Sequence, residues 1–297
     1  MREKSRRDYG KRETVGVLDK IKIMSIKPNL SRKELAKISL SVECKSLILG
    51  SLLGDGSLKK EPKYANLRFK FRHSIVQKDH FDWKVSLLKE ISTDKSVQLQ
   101  QPDKVGYNKN KKVLFQSSAC PQLTELWKRV CDGGNNLVIA RHWLNHMTEI
   151  SLAVWWFDDG SLIKAVRQGV ICSESFSKEA NEKLANYLQV VWHVTCKVRL
   201  RSKEKSHYRL WMNTTELEKF LVIILPFAVT SFAVKKCLLI YKDPTYQQRW
   251  ISKMRELLPS EGVHILNNLL TKKSSDSKGV QYVDAEKDLE NEFLDDL

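Results

Sequence analysis

Two acids stand out by where they fall. Asp55 closes the segment ILGSLLGDG (residues 48–56) and Asp159 closes LAVWWFDDG (residues 152–160). Each lies at the end of an apolar, helix-forming run, immediately before a glycine suited to stopping a helix. A carboxylate there meets the negative end of the helix dipole, at a cost of about 0.3–1 kcal/mol on an exposed site. Ordinary core packing explains the apolar run but not the acid at its tail. Two such acids at equivalent points imply a compensating cation. If the two helices pack side by side, both carboxylates end at one edge and share hard divalent ions, with Gly54, Asp158 and freed backbone carbonyls as further oxygen ligands. Paired divalent sites suit in-line attack on a phosphodiester, one ion activating water and the other stabilising the leaving oxygen. The expected ion is Mg2+, with Mn2+ as a substitute. The Asp158 side chain points about 100° away from that of Asp159. Asp158→Asn is therefore expected to keep far more activity than Asp159→Asn.

Positioning those acids requires close helix packing. Gly50 and Gly54 are four residues apart and share one helix face. The second segment has Val154 where the first has Gly50, so Ala153 and Val154 are the expected contacts on that side.

The rest of the chain supports a polyanionic partner. Its 297 residues carry 51 Lys+Arg against 35 Asp+Glu, a net +16. Residues 274–297 hold eight acids and two lysines, which leaves +22 on residues 1–273. The longest apolar run, at residues 220–229, is about half a membrane span and contains Pro226, so no membrane role is expected. Six cysteines without a CxxC pair read as reduced, mostly buried thiols. Residues 1–40 read as a basic, partly disordered arm. Residues 41–145 and 146–258 read as two halves, and residues 259–297 as an extension with an acidic, disordered tail. Each half runs helix, strands, helix, strands, helix, a duplication of one α/β unit with a period of about 100 residues.

The strands read as a nucleic-acid surface. Lys197, Arg199, Arg201, Lys203 and Lys205 recur at every second position, with Val198 and Leu200 between them. Arg68, Lys70 and Arg72 repeat the device in the first half, joined by Gln98, Gln100 and Gln116 on later strands. Arg suits guanine and Gln suits adenine in the major groove. Arg209 joins the same set, and Lys59, Lys60 and Lys164 are candidate phosphate contacts. His142 and His146 in HWLNH lack the glutamate of a zinc protease motif and read as structural. Trp83, Trp127, Trp155, Trp156 and Trp192 read as core.

The two acid-bearing segments resemble the paired motifs of single-chain LAGLIDADG homing endonucleases, and the element order from about Val42 to about Arg255 is similar to the intron-encoded branch. The resemblance implies an α+β fold. Two αββαββα units carry four-stranded antiparallel sheets that form a DNA-binding saddle around two packed motif helices. It implies metal-binding, catalytic roles for Asp55 and Asp159. It places a basic residue near the scissile phosphate at Lys235, with Lys236 as the alternative register. The corresponding first-half position falls near Asn135 and Asn136, which carry no charge. It implies a monomer that cuts both strands of a long asymmetric site, leaves short 3′ overhangs and promotes homing of a group I intron. An organellar gene follows, chloroplast or mitochondrial, with synthesis in that organelle and no secretion. A maturase that binds intron RNA on the same scaffold is the alternative.

Overall fold

The computed structural model describes residues 38–102, 110–132, 136–163, 167–202 and 204–275. Helix α1, Val42–Leu53, begins at Ser41, whose hydroxyl accepts from the Cys44 N–H at 3.1 Å. It ends at Gly54, and every residue from Ser46 to Leu53 is buried. A helix apolar all round belongs inside a core.

Strands β1 (Ser57–Lys60) and β2 (Leu67–Ser74) follow, then helix α2 (Lys78–Ser86), strands β3 (Val97–Gln100) and β4 (Lys112–Gln116), and helix α3 (Pro121–Val130). A short helix α4 (Arg141–Leu144) leads to the second motif helix, α5 (Glu149–Asp159). Thr148 and Ser151 form a capping box at its start. The second half continues with β5 (Gly160–Ile163), β6 (Gln168–Ile171), α6 (Lys178–Trp192), β7 (Lys197–Ser202), β8 (His207–Met212), α7 (Thr214–Ile224) and α8 (Ser231–Cys237). Helices α9 (Pro244–Leu257) and α10 (Ser260–Ser275) close the described chain.

All strand pairs are antiparallel, in two four-stranded sheets of matching order, β1-β2-β4-β3 and β5-β6-β8-β7. The duplication expected from sequence is therefore present. Sequence reading found three strands in each half and missed β1 and β5. Both are four residues long and start at, or one residue after, the glycine that follows the motif acid.

The motif helices are the centre of the molecule. A Cβ on Gly50 would lie 2.3 Å from the Ser151 carbonyl oxygen and 2.9 Å from its Cα, so only glycine fits. Ser151 Oγ donates to the Ser46 carbonyl at 2.8 Å across the same contact. A Cβ on Gly54 would lie 2.8 Å from Asp158 Cβ. The partners of the two glycines are thus Ser151 and Asp158, seven residues apart on one face of α5. Val154 falls on that face, whereas Ala153, two residues beyond Ser151, is turned roughly 200° from it. Both are fully buried.

The extension opens with a packed helix. Leu266 of α10 is fully buried, and a Cβ on Gly262 would lie 2.6 Å from the Ala228 carbonyl, so α10 joins the core. The arm up to residue 37 and the acidic tail from residue 276 lie outside the described residues. Among the described residues no helix is long and apolar enough to cross a membrane. All six cysteines are free, but only Cys44 and Cys237 are buried. Of the five tryptophans read as core, Trp155, Trp156 and Trp192 are buried, and Trp83 and Trp127 pack half-buried against the core.

Candidate active site and nucleic-acid face

Asp159 is the last residue of α5, and Asp55 stands one residue past the glycine that ends α1. Close packing of the two helices brings their tails together. Partial burial pushes the Asp159 carboxyl up to about 8, and the charges of Asp55 and Asp158 add to the shift against the pull of Lys236. Asp55 is raised too, by removal from water and by Asp158, with Lys84 and Lys236 opposing. Two carboxyls that ionise reluctantly face one another from different halves.

Lys236, not Lys235, reaches this edge. Its Nζ donates to the carbonyls of Phe157 at 2.9 Å, Gly160 at 2.8 Å and Asp158 at 3.4 Å, where it compensates the negative tail of α5. Lys235 is exposed. Helix α8 buries Ala233, Val234 and Cys237, and Lys236, three residues after Ala233, flanks that face. Of the two registers read from sequence, the structure brings the alternative, Lys236, to this edge. Other carbonyls at this end are also taken, as that of Asp159 accepts from the Cys172 N–H at 2.9 Å.

Asp158 is not a metal ligand. Its side chain has no exposure, and Lys84 Nζ binds both of its oxygens at 2.7 and 2.9 Å. His80 Nε2 lies 3.7 Å and His73 Nε2 3.8 Å from Asp158 Oδ1. Burial alone would raise this carboxyl. Lys84 and the two imidazoles override it and hold Asp158 below the usual carboxylate range. The ligand atoms of His73, His80 and Asp158 lie within 4.8 Å of one another, a spacing that suits a metal, but the Lys84 ammonium is already the cation there. Burial, helped by Lys84, pushes the His73 ring down to about 3, so it is neutral. His73 Nδ1 faces Asp55 Oδ2 at 3.7 Å.

None of Lys84, His73 and His80 was singled out from sequence, yet a signal existed. Helix α2 buries His80, Phe81 and Lys84, spaced as one helix face, so the lysine sits where an apolar residue belongs. His73 continues the inward series Leu67, Phe69, Phe71 on β2. Lys84 is also the cation near the first-half acid, which Asn135 and Asn136 do not supply. Asn135 lies outside the described residues, and the exposed Asn136 donates its N–H to Asp132 Oδ1 at 2.9 Å. His142 Nε2 meets the Arg129 carbonyl at 2.7 Å, which fits its structural reading.

In the first sheet, strand register puts seven of the eight predicted nucleic-acid contacts on one face. In the first sheet Ser57, Lys70 and Gln116 form one row, Lys59 and Arg68 another, and Arg72, Leu114 and Gln98 a third. Gln100 lies opposite Lys112 on the same face. Phe69, Phe71 and Phe115 fill the other face. Lys60, opposite buried Leu67, belongs to that other face and is an exception. Lys70 and Gln116 both engage Glu61.

In the second sheet Lys197 lies opposite Trp211, and Arg199 opposite Arg209. A bulge between Leu200 and Ser202 shifts the register at Arg201, so the regular ladder carries Lys197 and Arg199 of the series expected from sequence. Lys205 is exposed in the turn, and Lys164 and Lys203 lie outside the described residues. Arg209 is buried and paired with Glu174, so it braces the sheet more than it offers a contact. Two arginines are laid flat on aromatic rings, Arg68 on Tyr64 at 4.0 Å and Arg199 on Trp211 at 4.3 Å. The Trp211 indole donates to Gln168 Oε1 at 2.7 Å.

The model of the LAGLIDADG DNA endonuclease family matches residues 45–220, from within the first motif helix to within α7. The chain belongs to that family. The chain is similar to Protein RecA of Mycolicibacterium fallax, 28% identical over 226 residues that cover 72% of this chain and 51% of that protein. The chain spans about half the length of the RecA relatives it matches. It is also similar to DNA endonuclease I-ChuI of Chlamydomonas applanata, 22% identical over 212 residues, 67% of this chain and 96% of that protein. The homing endonuclease I-WcaI, solved bound to its DNA recognition sequence, superposes with a TM-score of 0.60 at 20% identity, covering 76% of this chain and all of that one. That likeness shows the shared LAGLIDADG α+β fold.

The two motif acids fit a divalent cation. They offer hard oxygen donors from both halves, and burial first, with neighbouring acids added, makes both carboxyls reluctant to ionise without a nearby cation, the pull of Lys236 notwithstanding.

Proposed function

We propose that the chain is a divalent-metal-dependent, site-specific endonuclease that cuts both strands of DNA, acts as a monomer and promotes homing of an intron that encodes it. The observation that carries this reading is the meeting of Asp55 and Asp159, one from each half, at the tails of helices locked together at Gly50 and Gly54. In the reaction a water oxygen forms a bond to phosphorus as the bond to the 3′ oxygen breaks. The products are a 5′-phosphate and a 3′-hydroxyl. Offset cuts on the two strands leave short 3′ overhangs. Divalent ions held by Asp55 and Asp159 would supply Lewis-acid charge at the phosphate. The chain itself supplies position and field. Lys236, fixed by three carbonyls, holds a positive charge beside Asp159, where negative charge develops on the phosphate oxygens. Arg68, Arg72, Gln98 and Gln100 on one sheet, with Lys197 and Arg199 on the other, orient the duplex and read base edges. Synthesis within a chloroplast or mitochondrion belongs to the same reading.

The test is cleavage, with Mg2+ or Mn2+, of a duplex spanning the intron insertion site, with intron RNA binding measured in parallel. Cutting both strands at one position is expected. Tight binding of the intron RNA without any DNA cleavage would put the maturase reading first.

Two further outcomes follow from charge. Residues 1–273 carry +22, so duplex binding should release many counterions. Neutralising six phosphates gives a slope of log K against log[salt] of about −5, and a slope shallower than about −2 would contradict the basic-face assignment. Lys236→Met should lower the single-turnover rate by about 10²-fold with little change in duplex affinity, while Lys235→Met should stay near wild type. The reverse ranking would return the role to Lys235.

A further inference from the structure

His73 occupies a place on β2 that calls for an apolar side chain. It lies opposite Val113, two residues on from Phe71, and is 5% exposed. A buried imidazole nitrogen without a partner costs about 1–3 kcal/mol, and His73 Nε2 has no hydrogen-bond partner. The ring also touches both halves of the site. Nε2 is 3.8 Å from Asp158 Oδ1 on the second motif helix, and Nδ1 is 3.7 Å from Asp55 Oδ2 after the first.

Those two separations have different meanings. Asp158 is a fully buried carboxylate whose charge Lys84 secures; 3.8 Å from Nε2 it lies beyond hydrogen-bond reach, and its charge favours the proton on that nitrogen. With the proton there, the Nδ1 lone pair points towards Asp55. Two ligand atoms, each about 2.1–2.3 Å from a shared ion, stand roughly 3.0–3.8 Å apart at angles between 90° and 120°. The Nδ1–Oδ2 distance of 3.7 Å falls in that range. A carboxylate that fixes one imidazole nitrogen while the other faces a metal is a recurrent way of orienting a histidine ligand.

Resting on the reading of Asp55 as a cation ligand, we infer that His73 Nδ1 is a second protein ligand to the ion at Asp55, oriented by Asp158, and that this half-site prefers a transition-metal dication such as Mn2+ to Mg2+. Imidazole nitrogen is a poor ligand for Mg2+ and a good one for first-row transition ions. His73 stands beside Asp55 and Asp158, and His80 beside Asp158, while the second motif acid, Asp159, is raised by burial and by other acids and opposed by Lys236, with no imidazole among those charges. The two half-sites therefore differ in ligand chemistry as well as in sequence.

The probe is Mn2+ alone, added to the full chain without DNA and read by pulsed electron paramagnetic resonance. A directly bonded imidazole nitrogen should appear in the echo modulation, change on 15N-histidine labelling and vanish in His73→Phe. Equilibrium titration should show Mn2+ affinity falling about 10–100-fold in His73→Phe, with Mg2+ affinity changing far less. Bound Mn2+ that requires Asp55 but shows no nitrogen coupling in the unmutated protein overturns the His73 assignment and leaves the endonuclease reading standing. Nitrogen coupling that survives in His73→Phe also overturns it. No bound Mn2+, or binding indifferent to Asp55→Asn and Asp159→Asn, overturns both. The deciding spectrum is that of the unmutated chain, so a variant that fails to fold does not shelter the inference.

Discussion

Replacing Asp55 or Asp159 by asparagine is expected to abolish double-strand cleavage while leaving duplex binding intact. The substitution keeps shape and hydrogen bonding and removes one of the two charges that meet at the helix tails. Transition-state stabilisation of several kcal/mol is at stake in a paired-ion site, so a rate loss of about 10³-fold or more is expected in either variant. Slow nicking of one strand is the expected residue, because the ions are shared between halves. Binding is measured in Ca2+, which holds the wild type without turnover, and cleavage by strand-resolved assay in Mg2+ or Mn2+. Near-normal double-strand cutting by either variant would sink the mechanism.

A second readout has an independent sign. The Asp159 carboxyl is pushed from 3.8 to about 8. Between those values the folded chain binds a proton that the unfolded chain has lost. Ion-free stability therefore falls as pH rises through this window, by an order of about 1–3 kcal/mol. Asp159→Asn removes that penalty, so without divalent ions it should melt above the wild type at pH 8 and close to it at pH 4. An ion-free wild type as stable as the variant at pH 8 would mean that Asp159 carries no unmet charge.

The helices, the duplication and the two acids were legible in sequence because each rests on local chemistry. Pro121–Val130 follows from proline at a helix start and an apolar stripe, and the structure has those bounds. Strands β2 and β4 follow from alternation. What was lost depends on contacts that sequence cannot show. Strands β1 (SLKK) and β5 (GSLI) start at or straight after the motif glycines without an alternating pattern, and their pairing with β2 and β6 marks them as strands. The cationic series on β7 reads as continuous, but the bulge after Leu200 breaks it. Lys197 and Arg199 keep a regular register on β7. After Val234 two adjacent lysines, Lys235 and Lys236, left two registers open. Only the packing of Ala233 and Cys237 decides which of them turns inward. Asp158 was half right. Its side chain points away from Asp159, as helix geometry requires, but into a buried lysine of the other half.

That lysine reverses the expected outcome for Asp158. Read as a solvent-facing neighbour, Asp158→Asn is a benign control; read with Lys84, it strands an ammonium with no exposure between the two halves. Removing one member of a buried ion pair costs about 3–5 kcal/mol, because the charge left behind has neither water nor partner. Both Asp158→Asn and Lys84→Met should therefore lower the midpoint of thermal or urea unfolding by that order. Replacing both at once should recover much of the loss, since a neutral pair in an apolar setting is often no worse than the ion pair it replaces. His80, stacked on Trp83 and edge-on to Phe157, and Phe71, 4.5 Å from the Lys84 ammonium, provide that setting. The acid limb gives the sign. Asp158 is held below its ordinary value, so its contribution is complete above about pH 4 and fades as pH falls further. Lys84→Met should flatten that limb. The pair joins α2 of the first half to α5 of the second, so its loss should also blunt the cooperativity of unfolding. The check is a double-mutant cycle by urea denaturation at neutral and acid pH. Additive single and double effects, with no coupling above about 1 kcal/mol, would show that Lys84 and Asp158 are neighbours without being partners.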